Sequence, residues 1–402
     1  MALSSRLALA GLLGAALALP ALAQQPAAPP AWAQGRPDSQ AASTLAPHAP
    51  RLTATPAERI PLDQIRVPEG FRVEVWASGM PGARMMARGD DGTIYVGTRT
   101  IGRVYAVRDE GGARTSRIFA QRLDQPNGVA VRNGSLYVIA INRVLRYDNV
   151  ATNQNPEPVD LTAAFALPTE AHHGWKFAAF GPDGRLYMNV GVPCNVCSFD
   201  EDRFALILRY NADGSGREIV GRGVRNSVGF DWRPGTNVLY ATNNGRDWAG
   251  EDTPQDTLHR LDRVGQHHGF PYCSGEGWQD PGHTGRRCTE FPAPVAMLGP
   301  HAAALGMRFY TGTMFPEAYR GRAFVARHGS WNREAKTGFD VVTVTLNADG
   351  TQGTVEPFMT GLLNTGENSF RGRPTDVLVM PDGALLVSDE ENGAIYRVSY
   401  GR

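Results

Sequence analysis

Histidine and arginine residues stand at recurring positions beside short apolar runs in this chain. The notable sets are His172-His173, Arg225-Asn226 and Arg371-Gly372-Arg373, joined by His301 and Arg333. A neutral imidazole titrates near physiological pH and can take a proton from a hydroxyl group. Guanidinium groups make paired, charge-assisted hydrogen bonds with carboxylates. These residue types predict a site that binds a compact ligand with several carboxylates and removes a proton beside it.

Each of these residues also has a structural interpretation. The arginines could pair with Asp247, Asp376 and the acidic run Asp389 to Glu391. A lone histidine is more often packed or solvated than catalytic. The neighbouring pair His172-His173 favours a catalytic role for at least one member, whereas His267-His268 lies in a long insertion and is interpreted as structural.

A metal site has a less specific signature. No cluster of carboxylates is apparent, but Asn243 to Arg246 could give backbone carbonyl oxygens to a calcium ion, because hard cations accept such ligands and Gly245 permits tight curvature. A bound anion would have to complete the coordination.

The elements that position these residues repeat along the chain. Six turns ending in glycine each precede a short apolar strand, with glycine-to-glycine steps of 42, 50, 51, 86 and 62 residues. The glycines are Gly92, Gly134, Gly184, Gly235, Gly321 and Gly383. Repetition at this interval predicts an all-β, six-bladed β-propeller. The last blade has three strands of its own, and Phe71 to Ala77 is predicted to complete it and hide both sheet edges.

Blade symmetry brings the candidate residues together. Strands within a blade are antiparallel, so the start of the first strand and the end of the second lie on one face. The starts supply Arg84, Gln125, Asn127, His172, His173, Arg225, Asn226, His301, Arg371 and Arg373. The ends supply Arg99, Asn142, Asn195, Asn243 to Asp247, His328 to Arg333 and Asp389 to Glu391. One face of the propeller is therefore predicted to collect arginine, histidine and amide side chains.

The longest step between glycines indicates an insertion at about residues 247–300. It contains Cys273 and Cys288. We expect it to fold over the channel face and form the rim of a pocket.

Residues ahead of the propeller have other signatures. Residues 1–23 resemble a secretory signal, with Arg6, an apolar run from Leu7 to Leu19 and a small-residue cleavage site. Residues 24–61, rich in Pro, Ala, Gln and Ser, are predicted to be a disordered linker, and the propeller is assigned to 62–402. We expect an exported, soluble protein without a membrane span, in the periplasm or secreted. A net charge of zero gives no nucleic-acid footprint.

The four cysteines of an exported protein are expected to be oxidised. The predicted pairs are Cys194–Cys197 and Cys273–Cys288. Haem attachment would need a histidine where Ser198 stands, and a redox or zinc role would need a thioredoxin-like context or a second pair of ligands.

Several segments together resemble the sorbosone dehydrogenase group of pyrroloquinoline quinone (PQQ) sugar dehydrogenases, relatives of soluble glucose dehydrogenase. The resemblance spans about Val67 to Tyr400. The segments that carry it are Pro126 to Ala130, His172 to Phe177, Gly181 to Gly184, Gly223 to Trp232, Asn244 to Trp248, Gly269 to Cys273, Gly299 to His301, Leu305 to Tyr310, His328 to Arg333 and Gly372 to Val377.

The resemblance implies roles for individual residues. The cofactor PQQ, which carries three carboxylates and an ortho-quinone, would lie on the channel face with a calcium ion (Ca2+) beside it. His173 matches the general base, Arg225 with Asn226 matches the pair that touches the quinone, and the carbonyls of Gly245 and Arg246 match the calcium ligands. The remaining residues expected at the cofactor are Asn127, His172, His301, Arg333, Arg371 and Arg373.

The implied activity is oxidation of an aldose or sorbosone-like sugar aldehyde to a lactone or acid, with hydride transfer to PQQ. Electrons would leave to a separate acceptor, a cytochrome or a quinone. The sequence departs from soluble glucose dehydrogenase at Val228, where that enzyme has Gln, and at His328 to Arg333, which replace a lysine. Glucose specificity is therefore not carried over. The alternatives are a calcium-dependent propeller lactonase or hydrolase and a non-enzymatic binding propeller.

Overall fold

The first strand of the chain pairs with the last. In the computed structural model, which describes residues 30–401, β1 (Phe71–Ala77) runs antiparallel to the C-terminal strand Ala394–Tyr400, with Phe71 opposite Tyr400. This pairing places both ends of the propeller in one sheet. The prediction that Phe71 to Ala77 completes the last blade is confirmed.

The chain forms six sheets of four or five strands, and the predicted six-bladed β-propeller is confirmed. Blade one contains β2 (Met86–Arg88), β3 (Ile94–Val96), β4 (Arg103–Glu110) and β5 (Ala113–Gln121). Blade two contains β6 (Gly128–Arg132), β7 (Ser135–Ile139), β8 (Val144–Tyr147) and β9 (Pro158–Asp160), followed by α1 (Thr162–Phe165). Blade three contains β10 (Ala178–Phe180), β11 (Leu186–Val190), β12 (Leu206–Tyr210) and β13 (Glu218–Arg222).

Blade four is interrupted by the insertion. Its inner strands are β14 (Phe230–Trp232), β15 (Leu239–Asn243) and β16 (Gln255–Leu261). The insertion contributes β17 (Gln266–His267), which pairs in parallel with β13, and the hairpin of β18 (Cys273–Ser274) and β19 (Trp278–Gln279). The chain then returns as the outer strand β20 (Ala296–Pro300).

The last two blades complete the ring. Blade five contains β21 (Ala304–Phe309), β22 (Ala323–Arg327), β23 (Asp340–Leu346) and β24 (Gly353–Met359). After the short hairpin of β25 (Leu363–Asn364) and β26 (Ser369–Phe370), blade six contains β27 (Pro374–Val379), β28 (Leu385–Asp389) and β29 (Ala394–Tyr400), joined by β1. Short 3-10 turns lie at Ala31–Ala33, Asp38–Gln40, Ala57–Arg59, Leu62–Gln64, Cys288–Glu290 and Glu317–Tyr319.

Three of the six repeated turns have the sequence Asp-Gly and share one local cause. In the Asp-Gly turns, the aspartate side chain accepts a hydrogen bond from the backbone N–H two residues later, as Asp183 does from Arg185 and Asp382 from Ala384. The following glycine, such as Gly184 with φ of 78°, takes the left-handed conformation that the reversal requires. The turn therefore ends the first strand of a blade and starts the second.

Neighbouring blades are joined by buried aspartates in their innermost strands. Asp231 in β14 accepts a hydrogen bond from the Phe309 N–H of blade five, at 2.8 Å. Asp376 in β27 accepts one from the Met86 N–H of blade one, at 2.9 Å. Burial raises the pKa of both carboxyl groups. These bonds fix the inner strands against each other and so hold the strand starts in register around the channel.

Both predicted disulfides, Cys194–Cys197 and Cys273–Cys288, are present. At the start of the insertion, Asp247 and Asp256 line the cavity at the channel face. Its disulfide-linked part lines a second cavity of about 440 Å³, together with the buried His259 and His268. Its strand β17 pairs with β13, the outer strand of blade three. That the whole insertion forms a rim over the channel stays a prediction.

Residues 30–61, the described part of the predicted linker, make hydrogen bonds to the propeller. Trp248 Nε1 donates to the Trp32 carbonyl, and the Thr55 N–H donates to the Asn392 carbonyl. The low-complexity composition of this segment did not indicate that two of its aromatic residues, Trp32 and His48, contact the blades. The predicted signal peptide and residues 24–29 lie outside the described residues. Between residues 30 and 401, no helix is long and apolar enough to cross a membrane.

Candidate active site

A cavity of about 440 Å³ lies at the channel face, where the first strands of the blades begin. It brings together seven of the eleven residues predicted to bind cofactor or metal: His172, His173, Arg225, Asn226, Gly245, His301 and Arg373. These residues are far apart in sequence and converge because each stands at an equivalent blade position. The cavity is therefore the candidate active site.

His173 is held in one orientation at the cavity wall. Its Nδ1 atom lies 2.9 Å from the carbonyl oxygen of Val192, so this nitrogen carries the proton and donates it. The Nε2 atom is then left as a hydrogen-bond acceptor. The ring is 7% exposed, and burial, followed by the nearby His172 and Arg225, holds its pKa well below the usual value. His173 is therefore a neutral base at neutral pH.

The backbone at the cavity is strained at several positions. Gln125, His173, His301 and Ala303 all have φ between 49° and 53° and all line the cavity. A residue with a side chain in this region carries a conformational cost of order 1–3 kcal/mol. Such strain is typical of functional sites, and here it turns side chains at strand starts toward the channel.

Arg225 is clamped by groups from two loops. Its Nε and Nη2 atoms donate to the backbone and side-chain oxygens of Asn195, at 3.0 and 2.9 Å, and its Nη1 atom donates to the Gly245 carbonyl at 2.7 Å. Nη2 also lies 3.2 Å from Asp247 Oδ2. The guanidinium is buried, and this burial lowers its pKa. Its position is thus fixed before any ligand binds.

Two carboxylates, those of Asp247 and Asp256, line the cavity together with Gly245. Asp256 accepts hydrogen bonds from the backbone N–H groups of Gly245 and Ala304, at 2.9 and 3.1 Å. Burial raises the pKa of Asp256 to about 6 and also raises that of Asp247. A cation placed at these two carboxylates would offset the cost of burying them. Asp256 was not predicted as a site residue, because it lies in β16, the third strand of its blade, and the prediction used the starts of first strands and the ends of second strands.

The opposite side of the cavity carries a second charged cluster. Glu390 Oε2 lies 2.7 Å from Arg84 Nη1 and 2.7 Å from His328 Nε2. Burial acts to raise the Glu390 pKa, but Arg84 and His328 outweigh it and hold the pKa well below its usual range. Arg99 and Arg373 lie nearby, and burial lowers the pKa of each to about 10. One carboxylate thus faces three guanidinium groups, which leaves positive charge for an anionic ligand.

Several polar atoms around the cavity have no hydrogen-bond partner among the described residues. They are Arg99 Nε, Gln125 Oε1, His172 Nε2 and Asn226 Oδ1. Buried polar groups are normally paired, so unpaired donors and acceptors in one cavity indicate a bound ligand. Arg99 also lies with its guanidinium 4.0 Å from the ring centre of Trp175. The guanidinium donors fit the carboxylates of an anionic ligand, whereas the unpaired oxygens of Gln125 and Asn226 would accept hydrogen bonds from a ligand.

Four predicted site residues lie outside the cavity lining. Asn127 is buried beneath it, where its Oδ1 accepts from Arg84 Nε at 2.8 Å. The Arg246 side chain forms a buried ion pair with Asp280 at 2.7 Å, and Arg333 bonds to Asp252 at 2.6 Å. Arg371, half-buried, precedes the buried Arg373 and does not line the cavity. These residues were chosen from blade position, which does not show which way a side chain points.

Other residues that line the cavity had no role assigned from the sequence. Arg84, Arg99, Gln125, Asp247 and the segment His328 to Arg333, which contains Trp331 and Asn332, were expected on this face from their blade positions. Trp32 and His48 come from the segment predicted to be a linker, and no repeat covers residues 30–48.

A carboxylate-rich metal site of the lactonase type is not seen. Within residues 30–401, no group of three or more His, Cys, Asp or Glu side chains is arranged to hold a metal ion. Any calcium ion here would depend on backbone carbonyls and on the ligand itself.

Comparison with known proteins gives one family-model match and one curated relative. The family model described as TrAA12-like matches residues 278–401. An uncharacterised protein of Borreliella burgdorferi is 30% identical over 350 residues, which cover 84% of this chain and 91% of that protein.

Solved structures with the same fold include PQQ-dependent sugar dehydrogenases, as the resemblance predicted. The holo form of the pyranose dehydrogenase PQQ domain from Coprinopsis cinerea has a TM-score of 0.69 at 20% identity, covering 86% of this chain and 98% of its own. The calcium structure of the Trichoderma reesei family AA12 enzyme has a TM-score of 0.69 at 17% identity, covering 84% and 97%. The PQQ-bound aldose sugar dehydrogenase of Streptomyces coelicolor has a TM-score of 0.57 at 19% identity, covering 83% and 99%.

Proposed function

Because the chain belongs to one family with the Borreliella burgdorferi protein and has the fold of PQQ-type sugar dehydrogenases, we propose that it is an exported quinoprotein oxidoreductase that oxidises an aldose or a sorbosone-like sugar aldehyde. The observation that carries the proposal is the cavity itself. It combines a neutral, oriented imidazole with guanidinium groups, one of which has an unpaired Nε atom, that fit the carboxylates of a tricarboxylate quinone.

The cofactor would be held by charge and by hydrogen bonds from the cavity wall. Arg99 and Arg373 offer guanidinium groups to carboxylates, and Asn226 and His172 offer further polar atoms. Arg225, already fixed by Asn195, would place its charge beside the reacting end of the cofactor. When bound, PQQ supplies a two-electron acceptor for hydride.

His173 would act on the substrate. Its unprotonated Nε2 faces a cavity wide enough for a small ligand, and it would accept the proton of a lactol or hydrated-aldehyde hydroxyl. Because the Nδ1–H group is hydrogen-bonded to Val192, Nε2 stays available to accept a proton. Release of the proton makes the oxygen electron-rich and so favours departure of hydride from the adjacent carbon. The product would be a lactone or an acid.

The calcium ion would be held by the backbone carbonyls of Gly245 and Arg246, with Asp247 and Asp256 supplying negative charge nearby. The Gly245 carbonyl accepts one hydrogen bond from Arg225 and keeps a second lone pair for a cation. Electrons would leave to an external cytochrome or quinone, because both cysteines of the Cys194 to Cys197 motif are oxidised and Ser198 replaces the histidine that haem attachment needs.

Reconstitution tests this proposal. The purified protein would be titrated with PQQ and Ca2+, followed by absorbance, and then screened against aldoses and sugar aldehydes with an artificial electron-accepting dye. We expect saturable PQQ uptake and dye reduction with at least one of these substrates. Absence of PQQ uptake would overturn the proposal. Hydrolysis of sugar lactones without PQQ would instead favour the lactonase alternative.

A further inference from the structure

Residues 30–50, here called the N-terminal strap, lie across the face that carries the candidate active site. The strap belongs to none of the six sheets, yet Ala31, Trp32, Pro47 and His48 line the central cavity. Its contacts reach loops of several blades. The cavity is therefore completed by a segment outside the propeller.

One end of the strap is tied to the loops that hold Arg225. Trp248 Nε1 donates to the Trp32 carbonyl at 2.7 Å. Asn195 Nδ2 donates to the Gln34 carbonyl at 2.7 Å, and the Asn195 N–H donates to Gln34 Oε1 at 3.1 Å. The Arg36 guanidinium lies 4.3 Å from the ring centre of Trp248. Asn195 thus joins the strap to the clamped arginine.

The other end is tied to blade five and the following hairpin. Burial lowers the pKa of His48 to about 4, so its ring is neutral at neutral pH. Its Nε2–H group donates a hydrogen bond to the Ser330 carbonyl oxygen, with 3.3 Å between the two heavy atoms. The ring also packs edge-on against Phe370 at 4.7 Å. Between the two ends, Trp32 packs edge-on against Trp331 at 5.6 Å, and Trp331 against Trp248 at 5.5 Å.

We propose that the strap forms the outer wall of the substrate site and that Trp32, with Trp331, contacts the sugar ring and limits the substrate to a single sugar unit. This inference rests on the proposed function. Indole rings offer large apolar faces with little conformational entropy to lose, and these faces match the C–H-rich face of a pyranose. A cavity of about 440 Å³ would hold the cofactor and the reacting sugar together, and the strap residues that line it reduce the space left for a second sugar unit.

The strap could also act as a structural support for Arg225 through Asn195. The two roles have different kinetic signatures. Loss of a substrate contact raises KM with little change in kcat, whereas misplacement of Arg225 lowers kcat.

The test uses the full chain with Trp32→Ala, the conservative Trp32→Phe, and Leu52→Ala as a matched control. Leu52 lies just beyond the strap and is 72% exposed. For the aldose identified in the screen and its trisaccharide with the same reducing end, we expect Trp32→Ala to raise the KM of the monosaccharide by about 3- to 10-fold. We also expect that in Trp32→Ala the kcat/KM for the trisaccharide, divided by the kcat/KM for the monosaccharide, is higher than in wild type. The KM values and this ratio should stay near wild type in both Trp32→Phe and Leu52→Ala.

Unchanged KM and unchanged discrimination in Trp32→Ala would overturn the inference, and so would a fall in kcat alone. PQQ uptake by wild type is measured in parallel, because it reports on the proposed function and not on the strap. Binding of the sugar to the cofactor-free protein, followed by tryptophan fluorescence, gives an independent readout. Weaker sugar binding by Trp32→Ala than by Leu52→Ala supports the inference, and equal binding contradicts it.

Discussion

The Nδ1–H group of His173 donates a hydrogen bond to the carbonyl oxygen of Val192, with 2.9 Å between the heavy atoms, and Nε2 of the neutral ring is therefore unprotonated. Val192 in turn lies close to Arg225, because the Val192 N–H donates to the Arg225 carbonyl at 3.0 Å. The candidate base and the candidate electrostatic residue are therefore joined through one short segment of backbone.

Replacing His173 with Ala should lower kcat by about 100- to 10,000-fold, the usual contribution of a positioned general base. PQQ affinity should change little, since several arginines share the binding of its carboxylates. Dye-linked turnover and an absorbance titration measure the two quantities. His283→Ala, in the insertion and outside the cavity lining, is the control. Turnover equal to wild type in His173→Ala would move the base to His172 or His301.

Replacing Asn195 with Ala should remove the hydrogen bond that Arg225 Nη2 donates to the Asn195 side chain, while the bond from Arg225 Nε to the backbone carbonyl of residue 195 remains. Because the Nη2 atom would lose a buried partner, we expect a loss of about 1–3 kcal/mol in the free energy of unfolding, together with a lower kcat. Urea denaturation and steady-state kinetics provide the measurements. The exposed Asn155→Ala serves for comparison. If both variants behave alike, the clamp does not fix Arg225.

The buried histidines His259 and His268 should make the folded protein less stable as the pH falls below 6.5. Burial lowers the pKa of His259 to about 4 and that of His268 well below 6.5. The unfolded chain binds protons at these residues below pH 6.5 and the folded chain does not, so stability falls as pH drops from 6.5 toward 4. For His259 the loss between pH 7 and pH 5 is about 2 kcal/mol.

Urea denaturation at pH 7 and pH 5 measures this loss. The double variant His259→Asn/His268→Asn should show a smaller difference between the two pH values than wild type. An equal difference would mean that these rings are protonated in the folded protein.

Calcium should stabilise the PQQ-loaded protein. A ligand present at 100 times its Kd stabilises the folded state by about 2.7 kcal/mol, so the Tm should rise when Ca2+ is added and fall when a chelator removes it. Thermal denaturation followed by circular dichroism, with Mg2+ as the control ion, measures the change. A Tm that does not respond to Ca2+ would argue against a calcium site at the backbone carbonyls of Gly245 and Arg246, beside Asp247 and Asp256.

The sequence by itself determined the propeller. The glycine-ending turns act locally, in three cases through an aspartate bond such as that of Asp183 with the Arg185 N–H, and a short apolar strand follows each turn. The six units and the closing strand Phe71–Ala77 could therefore be predicted from the sequence. The same symmetry located His173, Arg225 and Arg373 near the channel. The two disulfides followed from cysteine spacing and the expected export.

Side-chain direction and non-repeating contacts were decided by the tertiary structure. Arg246 and Arg333 stand at suitable blade positions, yet their guanidinium groups turn to Asp280 and Asp252, because a nearby carboxylate is a stronger attraction than an open channel. Trp32 and His48 lie in a segment of low complexity, and their role depends on partners such as Trp331 and Ser330 about 300 residues away. No local sequence pattern predicts such a contact, because the two partners come together only when the blades have closed into a ring.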